Sequence, residues 1–320
     1  MGLAKFIFKK EVMTIKNWFP NELEKNFLIF LYDYHFLKID NAVFLFDTMQ
    51  YYKRQLSSLI KYDYIRKHHS GCYILGDTGK KYLKNLGYDL STKMPYSQKY
   101  IDRQTLISYI AAFYHYNKNI EFIPSFKLKE KDVFTIRSRR YIGLIKTNQK
   151  EYLTYYISKE QDKKYIESVF FDIQKEQKYR NIIIFSEDIS KISLKKFSYG
   201  LNEVLVIKPN IQNLEKLQYI NKIDWSKVVR NKLGNSVFLS EYNFCEYTNK
   251  KDKYILCFYF IDTEKINLIK YFLRENENIK ATIVCSKEIV DNLKQELPSV
   301  EYIVVELDLY IVKGEFNIYE

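Results

Sequence analysis

The chain is poor in the residues that build metal centres and disulfide frameworks. Its four cysteines, Cys72, Cys245, Cys257 and Cys285, lie far apart and form no C-x-x-C pair, and its four histidines include no His-hydrophobe-His set. Structural zinc needs clustered thiolate or imidazole ligands, and a disulfide framework belongs to short secreted chains. Both are excluded, as is a nickase in which paired histidines hold a metal beside a tyrosine nucleophile. Buried free thiols in a reducing cytosol are the expectation. Long apolar runs are also missing: the richest stretch, Phe27 to Leu37, contains Asp33 and His35, well short of the roughly 18 apolar residues of a membrane span. The first residues mix Lys5, Lys9, Lys10 and Glu11 into apolar ones and show no clean signal-peptide core. A cytoplasmic protein with no membrane partner and no cofactor is expected.

Proline and glycine are scarce too, five and nine in 320 residues, so few punctuation marks divide the chain. The length suits two or three domains. Hydrophobic residues make up 47% and charged residues 28%, enough for a sizeable core. The 30 tyrosines accompany abundant Lys, Ile and Asn, a mixture that coding bias in an AT-rich genome produces, and so do not mark a binding surface. The net charge is +12, which favours polyanionic partners. Residues 1–95 carry 15 Lys+Arg against 9 Asp+Glu, a net +6, so the first third has over twice the charge density of the remainder.

Residues 1–95 are expected to form one domain, 96–118 a connecting or dimerisation helix, and 119–320 an α/β domain. The boundary rests on Gly87 to Ser97, where helical periodicity breaks around Gly87, Ser91 and Pro95. From Gln98 to Tyr116 the apolar positions Ile101, Leu106, Ile107, Ile110 and Phe113 predict a helix that offers a homodimer contact. Apolar runs then alternate with helical segments: strands at Val133–Ile136, Tyr141–Ile145, Tyr152–Ile157, Ile182–Phe185, Val204–Ile207, Tyr254–Phe260, Ala281–Cys285 and Tyr302–Glu306, helices at Lys163–Lys178, Ile211–Ile220, Glu264–Arg274 and Lys287–Glu296. This pattern predicts one mixed sheet with helices against it, an α+β chain overall. No internal repeat is evident.

The first domain reads as a winged helix-turn-helix. Leu23, Phe27, Phe30, Leu31 and Tyr34 share one face of a helix from Glu22 to Leu37, with Asn21 as N-cap. A short helix, Ile39 to Phe46, leads to Asp47-Thr48 and a third helix, Met49 to Lys61. There Tyr52, Leu56, Leu59 and Ile60 face inward, leaving Gln50, Tyr51, Lys53, Arg54, Ser57, Ser58 and Lys61 outside. A recognition helix needs this division: one face anchors while the other reaches base edges and phosphates. Tyr64-Ile65-Arg66-Lys67-His68-His69, a Ser70-Gly71 turn and Cys72–Leu75 predict a basic hairpin, followed by a helix from Asp77 to Leu86. Double-stranded DNA is the expected partner, with base contacts from Gln50, Arg54 and Ser58 and phosphate contacts from Lys53, Lys61, Arg66, Lys67 and His68. Gly76-Asp77-Thr78-Gly79-Lys80 is two residues short of a P-loop and has Lys81 where Ser or Thr belongs, so it reads as a helix start.

The run YYKRQLSSLIKYDYIRK followed by GCYILGDTGKKYL resembles the winged-helix half of the plasmid replication-relaxation family of Gram-positive mobile elements. The matching positions are Leu56, Leu59, Ile65, Tyr73, Leu75, Gly79 and Leu83. Gly76 replaces the family's Thr, and Asp63 stands where a small turn residue usually sits. The resemblance covers residues 20–90. It implies DNA binding in replication, transfer or transcription control, and a second half with a degenerate restriction-endonuclease-like fold. A Mg²⁺-dependent nuclease, the alternative reading, requires an Asp on one strand and (Asp/Glu)-x-Lys on the next. Asp132 is a candidate, but Tyr152–Tyr156 supplies no partner, and Glu176-Gln177-Lys178 falls on a helix end. A protein-interaction adaptor is the third reading. Arg137, Arg139 and Arg140 read as a solvated strand entrance rather than a phosphate site. No catalytic residue and no metal ligand is assigned.

Overall fold

The structure, a computed structural model, describes residues 18–46, 49–90, 97–131, 140–176, 178–189, 192, 200–242, 245–249, 253–276 and 279–310. Contacts divide the chain into two compact units, residues 1–112 and 113–320. It is a mixed α and β protein with mixed sheets. Among the described residues no helix is long and apolar enough to cross a membrane, and the four thiols are free and buried.

The first unit begins with α1, Glu22–Tyr34, closed at its start by a capping box in which the Asn21 side chain accepts from Glu24 N and the Glu24 carboxylate accepts from Asn21 N. His35, at φ 69°, ends it early, and the next residues form a short strand rather than the expected last helical turn. That strand, β1 (Leu37–Lys38), precedes a 3-10 turn at Ile39–Leu45, where an α-helix was expected. Helix α2 spans Met49–Lys61, hairpin strands β2 and β3 span Ile65–His68 and Cys72–Leu75, and α3 spans Asp77–Asn85. The strands form an antiparallel sheet in the order β1-β3-β2. Phe27, Leu31, Leu37, Leu56, Leu59, Ile65 and Leu83 are fully buried or nearly so, and Phe27 lies 5.2 Å from the Phe46 ring. Deleting such side chains costs about 2–5 kcal/mol each.

Helix α4, Gln98–Phe113, is three residues shorter than expected. Its Ile101 packs with Phe36 and Cys72, Thr105 Oγ1 lies 3.9 Å from the Cys72 sulfur, and the Tyr109 ring lies 6.2 Å from Phe44. Part of the surface expected to pair two copies is therefore used within the first unit.

The second unit holds two sheets where one was expected. The first is built from β4 (Ile120–Pro124), β5 (Gly143–Thr147), β6 (Glu151–Ile157), β7 (Asn181–Ser186) and β8 (Glu203–Ile207), with α5 (Ser125–Lys131) after β4 and α6 (Lys163–Gln174) between β6 and β7. Helices α7 (Ile211–Leu217) and α8 (Trp225–Leu233) lead to the second sheet: β9 (Val237–Leu239), β10 (Tyr247–Asn249), β11 (Lys253–Phe258), β13 (Lys280–Cys285) and β14 (Glu301–Val304). The two-residue strand β12 (Ile261–Asp262) follows β11, α9 (Thr263–Glu275) precedes β13, and α10 (Lys287–Glu296) precedes β14. The expected strand at Val133–Ile136 lies outside the described residues.

These two sheets repeat one topology. Each starts with three antiparallel strands, crosses through a helix to a parallel fourth strand, and adds a parallel fifth, so that within these two sets of five strands β5 and β10 run against the others. The crossing helices even share an N-cap, Asp162 and Asp262, with Ile166 matching Ile266 and Val169 matching Ile269 one hundred residues on. The shared topology is not matched by a repeat in the sequence, where apolar character recurs without identity. Central strands such as Ile182–Phe185 and Val204–Ile207 are buried on both faces, which accounts for their uninterrupted apolar runs.

The sheets are joined by β12, which leaves the second copy to pair antiparallel with β8 of the first. Asp262 Oδ1 accepts from Val204 N, Glu264 N and Lys265 N. Nearby Glu203 is held by the Tyr152 hydroxyl at 2.8 Å and by Lys150 at 3.1 Å, and Lys265 pairs with Glu246. Burial, reinforced by Glu203 and opposed by Lys265, pushes the Asp262 carboxyl up to about 7. An acid whose folded-state pKa is raised keeps its proton in the folded chain after the unfolded chain has lost it. Stability therefore falls as pH rises from the ordinary aspartate range to about 7, then levels off. Asp262→Asn should keep the cap and abolish that fall; urea melts across this range, followed by Trp225 fluorescence in a Trp18→Phe background, measure it. An unchanged pH slope contradicts the assignment.

Candidate nucleic-acid interface

The α2 sequence separates its faces as expected. Leu56 and Leu59 are buried, while Lys53, Arg54, Ser57 and Lys61 are exposed and Ser58 is half-buried. The Gln50 and Tyr51 side chains lie outside the described set. Lys61 Nζ sits 5.5 Å from the Tyr62 ring, which stacks on Trp18 at 5.0 Å. Among the described residues, Lys53, Arg54, Lys61 and Lys67 are not held in ion pairs, so their charges face solvent.

Arg66 differs. It shares the exposed outgoing strand with Lys67, yet its guanidinium bridges Asp63 at 2.5 Å and Asp77 at 2.6 Å. A phosphate would have to compete with two carboxylates, so its role is to hold the α2–β2 turn to α3. His68 is also engaged: its Nδ1 lies 2.8 Å from Ser70 Oγ and its ring meets Phe36 edge-on at 5.5 Å. Burial first, and His69 second, lower its pKa, which favours the neutral ring.

The turn that carries these groups is set by three residues whose significance was not legible as composition. Asp63 adopts the left-handed conformation, φ 57°, and its carbonyl accepts from Thr78 N at 3.1 Å and Gly79 N at 3.4 Å. Asp77 N donates to its carboxylate at 3.2 Å. The first N–H groups of α3, which no helix can satisfy internally, are thus satisfied by the turn. This approach leaves no room for side chains on the other partner: a Cβ on Gly76 would fall 2.2 Å from Asp63 O, and one on Gly79 2.1 Å from Tyr64 O. The G-D-T-G spacing is that of two backbones in contact.

Among the described residues the carboxylate set of a Mg²⁺-dependent nuclease is not assembled. Asp132, Arg137, Arg139 and Gln177 lie outside the described residues. Glu176 spends one oxygen on the N–H groups of Lys178 and Tyr179, Arg140 binds Asp172, and no cluster of three potential ligands occurs among the described residues. Compared with protein-family models, with curated proteins and with solved structures, the chain matches none.

Two tests address the turn. Gly79→Ala should cost about 2 kcal/mol or more, because backbone must shift, whereas Gly71→Ala, at φ 74° in open space, should cost about 1 kcal/mol. Urea melts read by Trp18 fluorescence in a Trp225→Phe background compare them, and equal losses contradict the contact. Hydrogen bonding and charge from Arg66 lower the Asp63 pKa. Its contribution is complete above the ordinary aspartate range and is lost as pH falls through the lowered folded-state value. Asp63→Asn should flatten that acid-side loss, by less than about 1 kcal/mol since the pair is largely exposed; a steeper loss argues against it.

Proposed function

We propose that the first unit is a winged helix-turn-helix that binds double-stranded DNA through α2, within a protein of a plasmid or other mobile element. The observation that carries this reading is the outward cationic face of α2, with Lys53, Arg54 and Lys61 unpaired among the described residues beside the β2–β3 hairpin. In this reading α2 enters the major groove, Arg54 and Ser58 meet base edges, and Lys53, Lys61 and Lys67 engage phosphates. Gln50 is assigned the same base-reading role from its place in the helix. The hairpin lies over an adjacent backbone. The order of elements and the resemblance of residues 20–90 to the replication-relaxation pattern support the assignment to mobile-element DNA. The second unit, in this account, is a duplicated sheet scaffold of degenerate restriction-endonuclease-like type that serves assembly or partner contact.

Phosphate contacts release counterions, so they set the salt dependence of binding. Lys53→Ala/Lys61→Ala should weaken binding to every duplex and reduce the slope of log K against log salt by about two. Arg54→Ala should cost about 1–3 kcal/mol on the preferred site and little elsewhere. Anisotropy titrations on duplexes selected by the protein from its own replicon test both. Wild-type slope and affinity in the double variant would show that α2 does not face the duplex.

A further inference from the structure

Edge strands invite pairing with another chain, and proteins ordinarily guard them with charge or proline. The other edges of the described sheets carry such a guard: Lys38 on β1, Lys67 on β2, Glu121 and Pro124 on β4, Asp262 on β12 and Glu301 on β14. Strand β9, the remaining edge, carries none. From Asn235 to Ser240 the chain has neither a charge nor a proline. It presents Phe238, 50% exposed, and Leu239, 77% exposed, while Val237 is buried.

The hydrogen-bond pattern fixes which backbone groups this edge offers. Ser240 N donates to Glu246 O at 3.0 Å, and Phe238 stands opposite Thr248 of β10. Backbone groups alternate sides along a strand, so those of Phe238 and Ser240 point toward β10 and those of Val237 and Leu239 point away from the sheet. Among the described residues no hydrogen bond reaches the Val237 or Leu239 backbone from that side. Side chains alternate between faces: Val237 and Leu239 share one face, and Phe238 lies on the other.

The segment Ser236-Val237-Phe238-Leu239-Ser240 has the same character from either end: small polar, aliphatic, aromatic, aliphatic, small polar. We propose that β9 pairs antiparallel with β9 of a second molecule of this chain, about a two-fold axis at Phe238, so that two sheets become one. In that register Val237 faces Leu239 of the second molecule, and the outward N–H and C=O groups of these residues bond each other. Phe238 meets its own counterpart as the closer, non-hydrogen-bonded pair, an aromatic contact on the opposite face. Leu239 extends the face on which Val237 is buried. Glu241 falls opposite Asn235 of the second molecule, so no like charges meet. A strand from a different protein would need none of this internal symmetry, whereas a two-fold contact requires it and closes at two molecules. The inference is independent of the duplex reading.

Sedimentation velocity on the full chain across the micromolar range tests it, and a reversible monomer–dimer equilibrium is expected. Phe238→Lys sets two ammonium groups face to face at the axis and should raise the dissociation constant about tenfold or more. Phe238→Glu should do the same, and mixing the two variants in equal amounts should restore the dimer, since opposite charges then meet. Leu239→Lys, at an exposed position, is a second disruptive variant that leaves the Phe238 side chain in place. Circular dichroism melts confirm that each folds. Phe238→Cys should give a disulfide-linked dimer on mild oxidation, because non-hydrogen-bonded pairs bring Cβ atoms within disulfide reach. Phe171→Cys, exposed on α6, should not. A protein that is monomeric at every concentration, its β9 edge open or held by some other chain, overturns the proposal. So does a dimer that folded Phe238→Lys or Leu239→Lys protein keeps at wild-type strength.

Discussion

The first unit depends on a backbone-to-backbone contact: the amino end of α3 seated on the turn between α2 and β2. Asp63 supplies the left-handed turn and the carbonyl that receives α3, while Gly76 and Gly79 supply the absence of side chains that lets the two backbones meet. Arg66 then ties the Asp63 and Asp77 carboxylates together across the junction. The end of α2, the start of the hairpin and the start of α3 become one rigid joint. Any function of the α2 surface inherits its orientation from that joint. It also explains why Arg66 of the basic hairpin is held in ion pairs while Lys67 beside it is not.

Much of this was legible because it is written in periodicity. The apolar spacing Tyr52, Leu56, Leu59, Ile60 located α2 to the residue, and the apolar runs at Ile182 and Ala281 located β7 and β13. What periodicity does not encode was missed. Strands of two or three residues, such as β1, β9 and β10, are too short to show alternation, and β1 was absorbed into a helix that His35 terminates. Helix α8 was overlooked because only Val228 and Val229 face its core. Two sheets were taken for one because the antiparallel β4 and β9 openings carry weak signals, and with them the repeated topology went unseen. Gly76 and Gly79 were visible as letters, but their reason, a close approach in space, exists only in three dimensions.

The second unit repeats one strand topology in two sheets. Both copies bury their central strands and cover them with a crossing helix capped by aspartate. The copies are not merely adjacent, since β12 leaves one to pair with the other, burying Asp262 near Glu203. Surfaces outside this shared frame are free to differ: the helix that opens the second copy carries cations on an accessible face.

The central functional claim is that the exposed face of α2 meets a DNA duplex. Site-specific photo-crosslinking tests it most directly, with a photoreactive residue placed at Ser57 on that face and, as comparison, at Glu22 on the exposed first turn of α1. Crosslinks from position 57 to bases of a bound duplex, with none from position 22, are predicted. Equal labelling from both positions, or none from position 57 while the duplex stays bound, would contradict the account.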